Sequence, residues 1–376
     1  MYTSFRIENF RCFEELTIEP LARVNLICGE NNTGKTALLE ALWLHSGPNS
    51  PDLGLRLNGF RGIAGADPRR LLHDLFRNFD PQRTITLEAK GNWNKYHRSL
   101  KIKSRPRGPE LFVPQSPDEQ SPAGRVFRET NVSAVSDTEI VLNYTDEHGE
   151  SFVSTGRWEI SEAPVPDGMP IVPITLTSQG MAVSRANMPA RPSNIFLSAR
   201  HRNRPEEDVA RFGNVVLEGG ASSIVNCLKA VDPRVARLET IAAPPSPMIY
   251  AEIGIGRPVP MGFLGDGVGR LLSMALAFQE ATNGTILIDE VENGLHHKAL
   301  QGVWENLNRL SQRFNVQVFA TTHSYESMVA ARDAFAAVEE QDFHIHRLQR
   351  QDGAIRAVTY PFEALDFTLS LSLIHI

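Results

Sequence analysis

The chain has 376 residues, with 38 Lys+Arg against 44 Asp+Glu for a net charge of -6, and 41% hydrophobic and 22% charged residues. That balance excludes global disorder and argues against a protein that coats nucleic acid without specificity, while the run 198–204 (Ser-Ala-Arg-His-Arg-Asn-Arg) stays a local contact candidate. Cys12, Cys28 and Cys227 lack CxxC spacing, no stretch of about 18 apolar residues occurs, and the N-terminus shows no basic-then-apolar leader; a cytoplasmic protein without disulfides, structural zinc or membrane span is expected.

In chain order, residues 1–45 read as strand, turn, strand, Gly-rich loop and helix. Phe5, Ile7 and Phe10 begin an apolar pattern, 16–18 continue it, and the run Val24-Asn-Leu-Ile-Cys28 enters the loop directly. Residues 36–44 have helical composition. The region 46–190 reads as an inserted β-rich subdomain, with strands at 84–89, 96–102, 139–144 and 151–160, a turn at 147–149 and Pro-rich loops at 105–122 and 163–173. Residues 191–283 read as a strand at 194–198 plus a helical lobe, with helical spacing at 215–230 and 269–281. The last region, 284–376, alternates strand 284–288, helix 297–314 and strand 316–320, then a hairpin over 344–360 turning at Asp352-Gly353. This alternation predicts an α/β fold with a mostly parallel sheet core, an antiparallel β subdomain and a helical lobe.

Three motifs carry chemistry. Gly29-Glu30-Asn31-Asn32-Thr33-Gly34-Lys35-Thr36 matches GxxxxGK[ST] between an apolar strand and a helix. Glycine lets several backbone N–H groups approach phosphate oxygens, Lys35 supplies a point charge, and Thr36 offers a hydroxyl to Mg²⁺. The strand 285–288 ends in Asp289-Glu290, where Asp289 completes the Mg²⁺ shell and Glu290 orients or deprotonates the attacking water. Alone, such a pair would also serve as a helix cap. Thr321-Thr-His323-Ser324 follows another strand, so His323 is a candidate γ-phosphate switch at the sheet's carboxyl edge.

These motifs, with the opening Phe5–Phe13 and the run Glu292-Asn-Gly-Leu-His296, resemble the ABC-type P-loop ATPases grouped with RecF, SMC and the OLD nucleases, and specifically the small prokaryotic AAA-labelled proteins of that branch. The resemblance implies ATP and Mg²⁺ as ligands, and it makes Arg11 and Phe13 candidate nucleotide contacts, against a solvated arginine and a core aromatic. Gly265-Asp266-Gly267 before a helix resembles the ABC signature segment, with glycine for the usual serine and aspartate for the following glycine; it also reads as a plain Gly-rich turn. As a signature it implies a homodimer that sandwiches ATP, with His296 in a loop contacting the opposite subunit.

No heptad-bearing insertion occurs, and too few residues follow His323 for an appended nuclease domain. His344 and His346 share a strand face, with a structural role favoured over chelation. Two functions follow from the resemblance: an ATPase whose ATP-dependent dimerisation controls a partner effector such as a nuclease in anti-phage defence, or a RecF-like clamp on DNA. A scaffold that binds ATP without turnover fits Glu290 less well.

Overall fold

The computed structural model describes residues 1–47, 73–92, 98–106, 138–146, 151–156, 193–199, 205–242, 246–339 and 341–365, with positions 53, 57, 61, 134–135, 148 and 159–160 between them. Of the Pro-rich stretch 105–122 expected as a loop, Arg105 and Pro106 belong instead to a strand paired with Glu139 and Thr138; the rest of it, the stretch 163–173, the basic residues 200–204, the closing run 369–376 and all but His148 of the turn at 147–149 lie outside the described residues.

The chain opens with β1 (Tyr2–Phe10), β2 (Phe13–Ile18), β3 (Val24–Cys28) and α1 (Lys35–Ser46). Next come β4 (Ile85–Gly91), β5 (Arg98–Pro106), β6 (Ala134–Val135), β7 (Thr138–Thr145), β8 (Ser151–Gly156) and β9 (Glu159–Ile160). β10 (Asn194–Leu197) leads into α2 (Pro205–Leu217), α3 (Ala221–Leu228), β11 (Arg237–Ile241), β12 (Met248–Glu252), β13 (Val259–Pro260) and α4 (Asp266–Glu280). β14 (Thr285–Ile288), α5 (Leu300–Arg313), β15 (Gln317–Thr321), α6 (Tyr325–Ala336), β16 (Phe343–Gln351) and β17 (Ala354–Pro361) complete it.

Two six-stranded sheets dominate. One runs β10-β14-β15-β3-β16-β17, parallel from β10 to β16 with β17 antiparallel at the edge. The other, β2-β1-β4-β5-β7-β8, is antiparallel throughout. The strand content is therefore mixed: a parallel-dominated sheet carries the motifs, and an antiparallel sheet of equal strand number stands beside it. β1 and β2, adjacent in sequence to the P-loop strand, pair with each other and β1 pairs with β4.

β3, β14 and β15 are buried along their whole length, as apolar strands covered on both faces must be. Their side chains alternate between two cores. Leu26, Cys28, Ile286, Ile288, Val318 and Ala320 join the cluster shared with α2 to α6. Ile27, Leu287 and Phe319, with Leu348 of β16, join the cluster formed with α1 and the antiparallel sheet.

The helical reading of 215–230 is corrected to two helices, because the chain breaks between α2 and α3 where Gly219 takes φ 74. The hairpin turn falls at Asp352-Gly353 as expected, both at positive φ (52 and 79). Among the described residues, no helix is long and apolar enough to cross a membrane.

Candidate functional site

The loop from Gly29 to Thr36 leaves the buried end of β3 and enters α1. Gly29 has φ 132, and a Cβ there would lie 2.2 Å from the carbonyl oxygen of Leu348 on β16. Gly34 has φ 91, and its Cβ would lie 2.6 Å from the Phe13 ring and 2.7 Å from Cys12 Sγ. Crowding and a left-handed backbone thus demand glycine at both positions. Glu30, Asn31 and Asn32 are exposed, with Asn32 at φ 63. Thr33 is buried and its hydroxyl donates to the Glu30 carbonyl at 2.8 Å. Lys35 Nζ donates to the Gly29 and Glu30 carbonyls at 2.7 and 3.0 Å. Burial pushes the Lys35 ammonium below its usual range, opposed by Cys28, Asp289, Glu290 and Glu292.

The parallel pairing of β14 with β15, and of β15 with β3, brings the second and third motifs to the same carboxyl edge. Thr36 Oγ1 donates to the Asp289 carboxylate, 3.1 and 3.2 Å from its two oxygens. Thr321 Oγ1 donates to Asp289 Oδ1 at 2.7 Å and accepts the Glu290 N–H at 2.8 Å. Glu290 sits at φ 49, a strained value for a non-glycine residue. The His323 N–H donates to Glu292 Oε1 at 2.9 Å, and His323 Nδ1 lies 3.1 Å from the same oxygen. The His323 ring is about half exposed (51%). Thr36 and Asp289 are hard oxygen donors in direct contact, which fits Mg²⁺: that ion takes one or two protein oxygens and completes its shell with water and substrate phosphate.

Other expected site residues sit elsewhere. Phe13 is fully buried and its ring packs against Gly34 beneath the loop, as its core-aromatic alternative has it. The Arg11 guanidinium is buried and paired with Glu40 of α1 at 2.9 Å, and it donates to the Asp74 carbonyl at 3.2 Å. The guanidinium is thus held by a buried carboxylate and is not the solvated arginine that was its alternative. At the start of α4, Gly265 (φ 95) and Asp266 are exposed. Gly267 is buried, and a Cβ there would lie 2.7 Å from the Gly294 carbonyl oxygen, so it packs against the turn after Glu290 in its own chain. His296 Nδ1 accepts from Lys298 N–H.

His346 is fully buried between Thr359 Oγ1 and Asn25 Oδ1, each 3.0 Å from a ring nitrogen, and His344 Nδ1 lies 3.0 Å from the Pro20 carbonyl oxygen. Among the described residues, no group of three or more His, Cys, Asp or Glu could hold a metal ion.

Arg270 went unrecognised as a site residue in the sequence. From the first turns of α4 its Nη2 donates to the Asp289 carbonyl at 2.6 Å and to the Glu290 carbonyl at 3.1 Å. Thr321 and Glu292 were likewise passed over as members of the site. Each makes its contact across sequence-distant segments to a backbone atom or a side chain, and no local pattern encodes that.

Residues 24–330, most of the chain, match the family model described as "AAA domain, putative AbiEii toxin, Type IV TA system". The chain belongs to this family. It is also similar to a protein named "ATP/GTP phosphatase" from Helicobacter pylori, at 22% identity over 98% of this chain and 97% of that protein. A shorter likeness, 46% over 12% of this chain and 20% of the relative, is to an uncharacterized protein of Methanocaldococcus jannaschii. Among solved structures, an Smc head domain with an extended coiled coil, bound to the C-terminal domain of ScpA from Pyrococcus furiosus, matches at 12% identity. Its TM-score is 0.48, over 99% of both chains.

Proposed function

We propose that this member of the AAA-domain family hydrolyses ATP, and that ATP binding joins two copies of the chain into a dimer that controls a partner effector. Hydrolysis is the part the residues support best. The observation that carries it is the chain of contacts from Thr36 to Asp289 to Thr321 to the Glu290 backbone, which gathers three motifs into one corner. The name of the Helicobacter pylori relative supports the same chemistry.

In this reading the backbone N–H groups of residues 29–36 and Lys35 hold the phosphates, and the positive end of α1 faces the same charge. Thr36 and Asp289 hold Mg²⁺, which when bound neutralises charge on the β- and γ-phosphates. Glu290 directs the attacking water and accepts its proton. His323, oriented by Glu292, donates a hydrogen bond to the γ-phosphate and so distinguishes ATP from ADP.

Dimerisation is supported by the exposed Gly265, which precedes a helix of 15 residues. A helix start with free approach suits phosphate held by a second copy. Lys35→Ala is expected to lose ATP binding in calorimetric titration. Glu290→Gln is expected to keep binding, lower turnover at least about 100-fold, and accumulate as an ATP-bound dimer in light scattering. Equal turnover in wild type and Glu290→Gln would remove Glu290 from the mechanism, and a monomer at saturating ATP would remove the dimer. Measuring GTP beside ATP sets the base preference.

A further inference from the structure

We infer that Arg270 is a positioning residue that fixes Glu290 and, through Glu292, His323, so that the helix starting at Asp266 sets the catalytic geometry of its own chain. This rests on the reading of Glu290 as the group that acts on the attacking water.

Glu290 holds a left-handed φ of 49, and such a backbone persists only where its surroundings over-determine it. Two side chains from other segments do so. Thr321 on β15 accepts the Glu290 N–H at 2.8 Å, and Arg270 on α4 donates to its carbonyl at 3.1 Å. Arg270 also donates to the carbonyl just before, that of Asp289, at 2.6 Å. The peptide planes on both sides of Glu290 are thereby pinned, and with them the direction in which its side chain leaves the backbone. The guanidinium is largely buried. That burial pushes it below its ordinary range, opposed by the carboxylates of Asp289, Glu290 and Glu292 nearby.

A second, independent observation extends the link. Arg270 Nε is buried without an acceptor, and Glu292 Oε2 is buried without a donor. Buried orphans are rare in folded proteins. These two are complementary, since a guanidinium fork and a carboxylate oxygen make a strong charge-assisted pair. The other oxygen of Glu292 already holds His323 through its N–H and Nδ1. The segments also touch, because a Cβ on Gly267 would lie 2.7 Å from the Gly294 carbonyl oxygen. Glu292 already acts electrostatically on the guanidinium, and pairing of the two orphans would join the helix start to Glu290 and His323 through one side chain.

The test compares ATP affinity, kcat and melting temperature in wild type, Lys35→Ala, Arg270→Ala, Arg270→Lys, Glu292→Gln, Arg270→Ala/Glu292→Gln and Arg270→Ala/Glu290→Gln. Arg270→Ala is expected to hold ATP affinity within about threefold and lower kcat about 30- to 100-fold, the loss typical of a displaced catalytic group. Adding it to Glu290→Gln or to Glu292→Gln should lower kcat less than about threefold further, because residues acting as a unit are not additive. Arg270→Lys keeps the charge but lacks the planar fork, and its kcat should fall about tenfold at unchanged KM. Should Arg270→Ala fail to fold, this lysine variant decides alone. A wild-type kcat in Arg270→Ala, parallel losses of affinity and kcat, or additive double variants would overturn the inference while leaving ATP hydrolysis intact. A wild type no faster than Lys35→Ala would overturn both.

Discussion

The Gly29–Gly34 loop and the Gly265–Gly267 segment both put glycine at positive φ beside a helix start, yet their surroundings are opposite. A Cβ at Gly29 or Gly34 would meet atoms at 2.2 and 2.6 Å, whereas one at Gly265 meets nothing within 4 Å. The first region is crowded by its own chain: β16, Phe13 and Cys12 press on the loop, and Lys35 and Thr36 bond within the site. In the second, Gly265 faces open space and only Gly267 packs against its own chain, at the Gly294 carbonyl. Glycine at the loop is required by what is already packed there, while glycine at 265 leaves room for something that arrives from outside.

Substitution at the two glycines should separate the regions most sharply. Gly29→Ala drives a methyl group into the Leu348 carbonyl, so we expect a loss of more than about 3 kcal/mol of stability together with loss of ATP binding, read by urea unfolding and calorimetry. A stable, ATP-binding Gly29→Ala would show that the loop is not crowded. Gly265→Val should cost only the strain of φ 95 and ψ 159, a region reached almost only by glycine, about 1–3 kcal/mol, with ATP affinity unchanged. Its turnover and ATP-dependent dimer should nevertheless fall at least about tenfold if a second copy approaches that surface. Normal turnover in Gly265→Val would leave the open segment without a partner.

The mildest probe is acid. Full burial, with a smaller contribution from His344, pushes His346 down to about 3, and its ring nitrogens face Asn25 of the P-loop strand and Thr359 of β17. The unfolded chain takes up this proton near 6.5 and the folded chain only near 3. Stability present above pH 6.5 is therefore lost as pH falls from 6.5 towards 3, by about 1.4 kcal/mol for each pH unit. Urea unfolding at pH 7.5 and 5.5 checks the slope, and His346→Gln should flatten it. An unchanged slope in that variant assigns the acid sensitivity to other groups.

Much of the fold was legible because its signals are local. The buried run 24–28, the apolar strand before Asp289, and the turn at Asp352-Gly353 all carry their structure in adjacent residues. The gathering of Thr36 and Asp289 likewise follows from strand ends meeting at one sheet edge. Pairing partners were not legible: nothing in the pattern of residues 2–10 announces β4 as their neighbour. Burial against function was not legible either. Arg11 and Phe13 stand beside the right elements, but Glu40 and Gly34 take the arginine and the ring inwards. The three-stranded sheet of β11, β12 and β13 lacks strong alternation, and α6 was missed behind the motif that precedes it. Arg270 escaped notice because its value lies in the carbonyls it reaches, which belong to residues 19 and 20 positions later.

The placement of β3 has a consequence for synthesis of the protein. Its sheet neighbours are β15 and β16, residues 317–321 and 343–351, although β3 itself spans residues 24–28. A growing chain therefore exposes its phosphate-binding strand long before either flank leaves the ribosome. Contacts of such long sequence separation form late and slowly. β3 waits until residues 317–351 have been made, and nucleotide can help fold the molecule only after that.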